Sequence, residues 1–161
     1  MDGLSDSLVT QMYNVRVASP EDFHAVLPMA EKFYNSTSFS KLLPFDVPSI
    51  LEFYIHMLEK GFVIVAETED GSLAGMLGAS IHPFHLNINH LVCTEAMWWV
   101  EPEHRGQRLA GDMLDMFERM AKTAGCTLTC MAKLDTTPEG VGAYYESRGY
   151  RATETSYIKE A

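Results

Sequence analysis

The sequence has few of the features that are typical of secreted or membrane proteins. It has three cysteines in 161 residues, an odd number that cannot form a complete disulfide framework. No run of 18 apolar residues occurs, so no membrane-spanning helix is predicted. The first residues, MDGLSDSLVTQ, lack the basic and apolar parts of a signal peptide. We therefore expect a cytoplasmic protein that has no membrane partner.

Basic residues are also scarce, and they are unevenly distributed. The chain holds 12 Lys and Arg against 22 Asp and Glu, for a formal net charge of −10. No Lys or Arg occurs between Gly61 and His104. An acidic surface repels nucleic acid and attracts cations. The composition thus argues against a nucleic-acid partner and favours a cationic one, although solubility alone would also explain the acidity.

Patterns for metal and for P-loop nucleotide binding are missing as well. No cysteine has the spacing of a zinc site, and His82, His85 and His90 do not have the spacing of helical metal-ligand pairs. No GxxxxGK[S/T] segment occurs. We therefore predict no metal site and no P-loop enzyme.

Length and hydrophobic patterning predict a single α/β domain. A chain of this size, 47% hydrophobic, can bury a full core. Residues 1–11 are expected to form a flexible tail and residues 12–161 the domain. Hydrophobic patterns predict strands near residues 13–18, 62–66, 73–80, 97–100, 127–132 and 150–159, with the last one a strand or a hairpin. Helices between them give a mixed (α+β) sheet of six or seven strands with helices on both faces, and residues 81–89 are expected to form a loop.

The most informative stretch joins an aromatic strand to an amphipathic helix. Pro102 ends the strand, and apolar residues recur at helical spacing from Leu109 to Ala124. The first turn of a helix has N–H groups without intrahelical partners, and its dipole favours an anion. Small residues there let a ligand approach the backbone, and the arginines suit phosphate; the residues concerned are Gly106, Ala110, Gly111, Arg105 and Arg108. The segment therefore predicts a diphosphate site, although an ordinary surface helix start would look similar.

Residues 100–110 resemble the acyl-CoA-binding signature of the GNAT superfamily of N-acetyltransferases, [Q/R]-x-x-G-x-[G/A]. Arg105 takes the first place, Arg108 stands where glycine is usual, and Ala110 takes the last place. A second segment, residues 144–150, is similar to the family pattern [aromatic]-Tyr-Glu-x-x-Gly-[aromatic]. Residues 149–161 look like the end of small phage-encoded members. The resemblance implies the GNAT fold and direct transfer of an acetyl group from acetyl-CoA, a cosubstrate, to a primary amine.

The resemblance also implies which residues hold the cosubstrate. Backbone groups of Trp98, Trp99 and Val100 would contact the pantetheine arm and the acyl oxygen. The diphosphate would lie on the segment formed by Arg105, Gly106, Gln107, Arg108, Leu109, Ala110 and Gly111. Because arginine does not readily adopt a positive φ, we expect Gly106 or Gly111 to supply the backbone freedom that glycine usually gives at position 108.

Two residues are candidates for proton transfer. Tyr145 matches the family tyrosine that acts as general acid near the CoA sulfur, and its phenol is protonated at neutral pH; the alternative is a core aromatic. Glu95 is the only acidic residue between Gly71 and Val100, so burial would raise its pKa toward that of a useful base. The family base lies nearer Thr94 in some members, and a shift of one residue would reverse the side chain's face. A carboxylate facing water, or deprotonation through a chain of water molecules, also stays open.

A second function fits the same resemblance. Arg108 in the glycine position, and Pro138 where an asparagine is often seen, suit a catalytically degenerate module that binds CoA or a protein. The acceptor is expected to be a cationic amine on a small molecule or on a protein. Dimers are common in the superfamily, so a homodimer stays open.

Overall fold

The computed structural model describes residues 12–161, so the tail predicted for residues 1–11 lies outside the described residues. Its helices and strands are β1 (Asn14–Val17), α1 (Phe23–Ser36), α2 (Val47–Lys60), β2 (Gly61–Glu67), β3 (Leu73–Phe84), β4 (Asn87–Val100), α3 (Leu109–Thr123), β5 (Leu128–Cys130) and α4 (Val141–Ser147). Across residues 12–161, no helix has the length and apolar character needed to cross a bilayer.

The five strands form one mixed sheet in the order β1-β2-β3-β4-β5. Neighbours from β1 to β4 are antiparallel, whereas β5 runs parallel to β4. One buried cluster lies between the sheet and α3, and another lies between the opposite face and the helices α1 and α2. The predicted single α/β domain with helices on both faces is confirmed.

Helix α3 is positioned by its apolar stripe. The residues of this stripe are fully buried against the sheet: Leu109, Met113, Leu114, Phe117 and Ala121. Their spacing of three and four residues puts them on one face. Since Leu109 is the first residue of α3 and is 0% exposed, the packing that stabilises the helix also fixes where its N-terminus lies.

The prediction of six or seven strands was wrong, because residues 150–159 form no strand. All residues from 151 to 161 are exposed. Residues 151–156 are polar or small and have little apolar surface to bury. The apolar pair that follows, Tyr157 and Ile158, is adjacent in sequence, so a strand would direct the two side chains to opposite faces.

Two local predictions also need correction. Residues 81–89 extend β3 and β4 into a hairpin with a two-residue turn at His85 and Leu86, which lacks the glycine or asparagine that usually marks such a turn. The Thr136 to Glu139 segment has the pattern of a capping box and predicts a helix start at Thr136, whereas helix α4 begins after Gly140. The Thr137 hydroxyl accepts a hydrogen bond from the N–H of Leu134 instead of capping α4.

Candidate active site

A cleft opens where β4 and β5 diverge. The two strands pair only through Val92–Thr94 of β4 and Leu128–Cys130 of β5. Beyond this point β4 continues to Val100, and the part of the chain described by the structure provides no partner strand on that side. The divergent ends therefore leave the backbone of β4 and the segment after β5 accessible to a ligand.

A β-bulge at Ala96 brings Trp98 to the same face of the sheet as Glu95. Met97 pairs with Gly78 and Glu95 pairs with the next residue, Ala79, so Ala96 has no partner on β3. Bulges reorient side chains, and they are common beside active sites. Residues on both sides of the bulge, Cys93 before it and Trp98 and Val100 after it, pack under α3, whereas Met97 and Trp99 pack on the opposite face. Alternation from Cys93 thus puts Glu95 on the α3 face, and the bulge puts Trp98 there too.

Thr94, the alternative position for a base, faces a different environment. Its hydroxyl lies 3.1 Å from Nε2 of His82 on the neighbouring strand β3. The two other histidines of that region do not converge on it, since His90 contacts the hydroxyl of Thr127 at 2.9 Å. Within residues 12–161, no three potential metal ligands lie together.

The backbone of Ala132, just after β5, joins the two proton-transfer candidates. Its N–H donates a hydrogen bond to Oε2 of Glu95 at 3.1 Å. Its carbonyl oxygen accepts one from the hydroxyl of Tyr145 at 3.4 Å. Glu95 belongs to β4 and Tyr145 to α4, and Ala132 contacts both at the point where β4 and β5 begin to diverge.

Burial changes the acid–base behaviour of Glu95. The residue is 8% exposed, which excludes the strand-end carboxylate facing water. Desolvation raises the pKa of Glu95 from its usual value of 4.5 to about 7, and the hydrogen bond from Ala132 opposes this rise. A carboxyl group with this pKa exchanges its proton near neutrality, as a general base must.

The same burial predicts that Glu95→Gln stabilises the protein at alkaline pH. The folded state holds a proton on Glu95 up to about pH 7, whereas the unfolded state loses it near 4.5. The free energy of unfolding therefore falls as the pH rises between these values, and the cost above pH 7 reaches about 3 kcal/mol. Urea unfolding should show Glu95→Gln more stable than wild type at pH 8.5 and nearly equal to it at pH 4.5. A difference that does not vary with pH would contradict this.

Tyr145 combines burial with a weakly bonded hydroxyl. The residue is 9% exposed, and its ring lies nearly parallel to that of Trp98, with centroids 6.3 Å apart. Desolvation raises the pKa of Tyr145 above its usual value, and the Glu95 carboxylate raises it further. The contact to Ala132 is longer than a normal O–H···O bond. The phenol therefore keeps its proton at neutral pH and can donate it to a closer acceptor.

The start of α3 presents a row of N–H groups without backbone partners. Among the described residues, the N–H groups of residues 106–111 form no backbone hydrogen bond, and the first one that does is Asp112, to the carbonyl of Arg108. We call the N–H groups of residues 106–111 the cradle. Gly106 has φ +73°, whereas Arg108 has φ −67°, so Gly106 supplies the left-handed conformation. A Cβ at Gly106 would meet no atom within 4 Å, so an anion can reach the backbone there.

The side chains around the cradle differ in their exposure and in their hydrogen-bond partners. Arg105 donates from Nε to the carbonyl of Val100 at 2.8 Å, and its guanidinium carbon lies 4.5 Å from the centre of the Trp99 ring. Arg108 is 89% exposed in its side chain and pairs with Asp112 at 3.0 Å. Gln107 is exposed, while Ala110 and Gly111 are half-buried on α3. Leu109 is buried, so only its backbone can meet a ligand.

Two buried donors on β4 also lack partners. Among the buried side-chain nitrogen and oxygen atoms of residues 12–161, only Nε1 of Trp98 and Nε1 of Trp99 have no hydrogen-bond partner. An unpaired buried N–H costs about 1–3 kcal/mol. The two indoles lie on opposite faces of the sheet, so a single ligand does not reach both.

Sequence reasoning missed two features of the site. Ala132 acts through its backbone, and only its place at the end of the strand parallel to β4 could have suggested a role. Ser38 and Asp135 form a hydrogen bond of 2.5 Å that joins the segment between α1 and α2 to the segment between β5 and α4. The two residues are 97 positions apart, and no local pattern predicts the contact.

Comparison with known families identifies this arrangement. Residues 26–150 match the acetyltransferase (GNAT) family. The chain belongs to the GNAT family. The matched range contains both proton-transfer candidates, the bulge and the whole cradle of this GNAT domain. No curated protein matches the chain by sequence.

Solved GNAT structures share the fold across nearly the whole chain. A ribosomal-protein-alanine N-acetyltransferase from Brucella melitensis has a TM-score of 0.71 and 16% identity, covering 92% of this chain and 99% of its own. An aminoglycoside 6′-N-acetyltransferase from Acinetobacter baumannii has a TM-score of 0.70 and 21% identity, covering 93% and 99%. A Clostridium acetobutylicum protein described as a predicted acetyltransferase with acetyl-CoA has a TM-score of 0.70 and 17% identity, covering 92% and 96%. At these identities the likeness establishes the fold.

Proposed function

We propose that this chain is an acetyl-CoA-dependent N-acetyltransferase that moves an acetyl group directly to a primary amine. One observation carries the proposal. A buried carboxyl group with a pKa of about 7 and a protonated phenol are hydrogen-bonded to the same residue, Ala132, where β4 and β5 diverge. A general base and a general acid side by side are what transfer from a thioester to an amine requires.

The cleft suits CoA in several ways. The cradle offers unpaired N–H groups at the positive end of a helix for the diphosphate, and Arg108 adds an exposed cation. The divergence of β4 from β5 leaves the backbone of Trp98 and Trp99 accessible to the pantetheine arm, while the carbonyl of Val100 is already bonded to Arg105. Acetyl-CoA would supply the activated acyl thioester.

The residues of the chain then handle two protons. The Glu95 carboxylate accepts a proton from the ammonium group of the acceptor, which frees the nitrogen lone pair for attack on the acyl carbon. The Tyr145 hydroxyl donates a proton to the sulfur as the carbon–sulfur bond breaks. The nitrogen loses its second proton as the amide forms, and this proton restores the Tyr145 phenol through solvent, while Glu95 releases the first proton to solvent. Before these steps Ala132 holds both side chains, Glu95 through its N–H and Tyr145 through its carbonyl oxygen. When Tyr145 donates its single proton to the sulfur, it leaves the carbonyl.

We further propose that the acceptor is cationic. Strands β2, β3 and β4 contain no Lys or Arg, and Glu95 supplies negative charge at the site. The names of the solved structures above, which include an aminoglycoside and a ribosomal-protein-alanine N-acetyltransferase, guide the choice of compounds to test.

Release of free thiol from acetyl-CoA tests the proposal. The panel pairs cationic acceptors, namely aminoglycosides, polyamines and peptides with an N-terminal alanine, with neutral amines of similar size. We expect CoA binding by calorimetry and amine-dependent thiol release, faster with the cationic member of each pair. Binding without release for any amine would support the catalytically degenerate module instead. A folded protein without affinity for CoA would overturn the proposed acetyltransferase and the CoA-binding form of the module.

A further inference from the structure

Two contacts hold the segment before α3, residues 104–108, from opposite sides. On one side Arg105 is anchored to the end of β4 through Val100 and Trp99. On the other side stands Tyr13, which directly precedes the edge strand β1. The Tyr13 hydroxyl oxygen lies 2.9 Å from Nδ1 of His104 and 3.0 Å from Oε1 of Gln107.

The geometry of Tyr13 defines which atoms donate. A phenol has one proton, and it is donated to Oε1 of Gln107. The phenol oxygen must then accept from His104, which therefore carries its proton on Nδ1. The two rings also meet edge to face, with centroids 5.6 Å apart. Tyr13 thus contacts residues on both sides of Gly106.

Because the segment contains Gly106, it needs contacts with other parts of the fold to keep one conformation. Glycine has wide conformational freedom, and the segment keeps its N–H groups unpaired instead of satisfying them locally. A segment with these properties relaxes unless tertiary contacts hold it, and holding it in advance reduces the entropy lost when a ligand binds.

We infer that Tyr13 is a positioning residue that holds the cradle in the conformation that binds the diphosphate of CoA. This inference rests on the proposed function. Tyr13 lies just before the edge strand β1, more than 90 positions from His104 in sequence, and in this role it affects the affinity for the cosubstrate. Tyr13 touches neither the acyl group nor the acceptor in this role, so its loss should weaken binding and spare the chemical step.

The test compares two acyl donors in the Tyr13→Phe variant. Acetyl-CoA has the diphosphate, and S-acetylpantetheine has the same thioester and arm without it. We expect Tyr13→Phe to raise the Kd of CoA about tenfold, because two hydrogen bonds to the segment are lost. We expect kcat at saturating acetyl-CoA, and kcat/KM for S-acetylpantetheine, to stay within about twofold of wild type.

Two further variants make the test specific. Tyr157→Phe is the matched control, since Tyr157 is 94% exposed, and it should leave every constant unchanged. Gln107→Met removes the partner from the other side. If the contact acts as inferred, Tyr13→Phe should change the Kd of CoA much less in the Gln107→Met background than in wild type.

Three results would overturn the inference. Tyr13→Phe could leave the Kd of CoA unchanged, it could impair both acyl donors equally, or its effect could add fully to that of Gln107→Met. Each of these leaves the proposed function intact as long as the wild-type chain binds CoA. A wild-type chain that does not bind CoA would overturn the proposed function and this inference together.

Discussion

Replacing Glu95 with glutamine is expected to lower kcat about 100-fold at pH 7.5, which is the usual size of a general-base contribution. Glutamine keeps the acceptor oxygen for the N–H of Ala132 but cannot take a proton. In wild type, kcat/KM should rise with pH through an apparent pKa of about 7, the value that burial gives to Glu95. This limb of the profile should be absent in Glu95→Gln. Steady-state thiol release between pH 5.5 and 9 measures both effects.

Glu101→Gln is the matched control. Glu101 is also 8% exposed and directly follows β4, but it forms an ion pair of 2.8 Å with Lys32 on α1. Its replacement removes a buried carboxylate of the same kind away from the cleft, so the limb near pH 7 should persist. A limb that survives in Glu95→Gln would show that a water chain or the amine itself titrates there. In that case Glu95 would not be the base.

Replacing Tyr145 with phenylalanine is expected to lower kcat about 100-fold while the Kd of CoA changes less than about twofold. The substitution removes only the hydroxyl, whose present bond to Ala132 is long at 3.4 Å. The ring keeps its packing beside Trp98, so the fold should be preserved. Turnover assays and calorimetric titration with CoA separate the two constants.

Tyr144→Phe on the same helix provides the comparison. The two rings are neighbours, with centroids 6.4 Å apart, but Tyr145 alone reaches Ala132. We expect Tyr144→Phe to retain most of the activity. Equal turnover in Tyr145→Phe and wild type would remove the phenol from the proton transfer. A parallel rise in the Kd of CoA would instead assign it a binding role.

Local patterns in the sequence predicted the parts of the site that depend on neighbouring residues. The stripe of α3 and the small residues at its start lie within one helix and its entry, so their spacing predicts the helix and its small-residue start, whereas an anion site there stays a prediction. Because Arg108 does not readily adopt a positive φ, a glycine nearby is expected to supply it, and Gly106 does so. These features form wherever the local segment folds as a helix.

Other parts of the site depend on pairing between distant segments and could not be predicted. The bulge at Ala96, which brings Trp98 to the same face as Glu95, exists only in relation to β3. The bond from Ala132 to Glu95 spans 37 residues, and that from Tyr13 to His104 spans 91. For residues 150–159 the local pattern predicted a strand that does not form. A strand-like composition is not sufficient where no apolar face can be buried.

A crystal structure of the chain with CoA tests the central claim most directly. The account predicts the diphosphate oxygens within about 3.2 Å of N–H groups of residues 106–111, and the sulfur within hydrogen-bond reach of the Tyr145 hydroxyl. It also predicts open space beside Glu95 for the amine. A diphosphate bound away from the start of α3, or a sulfur far from Tyr145 and Glu95, would contradict it.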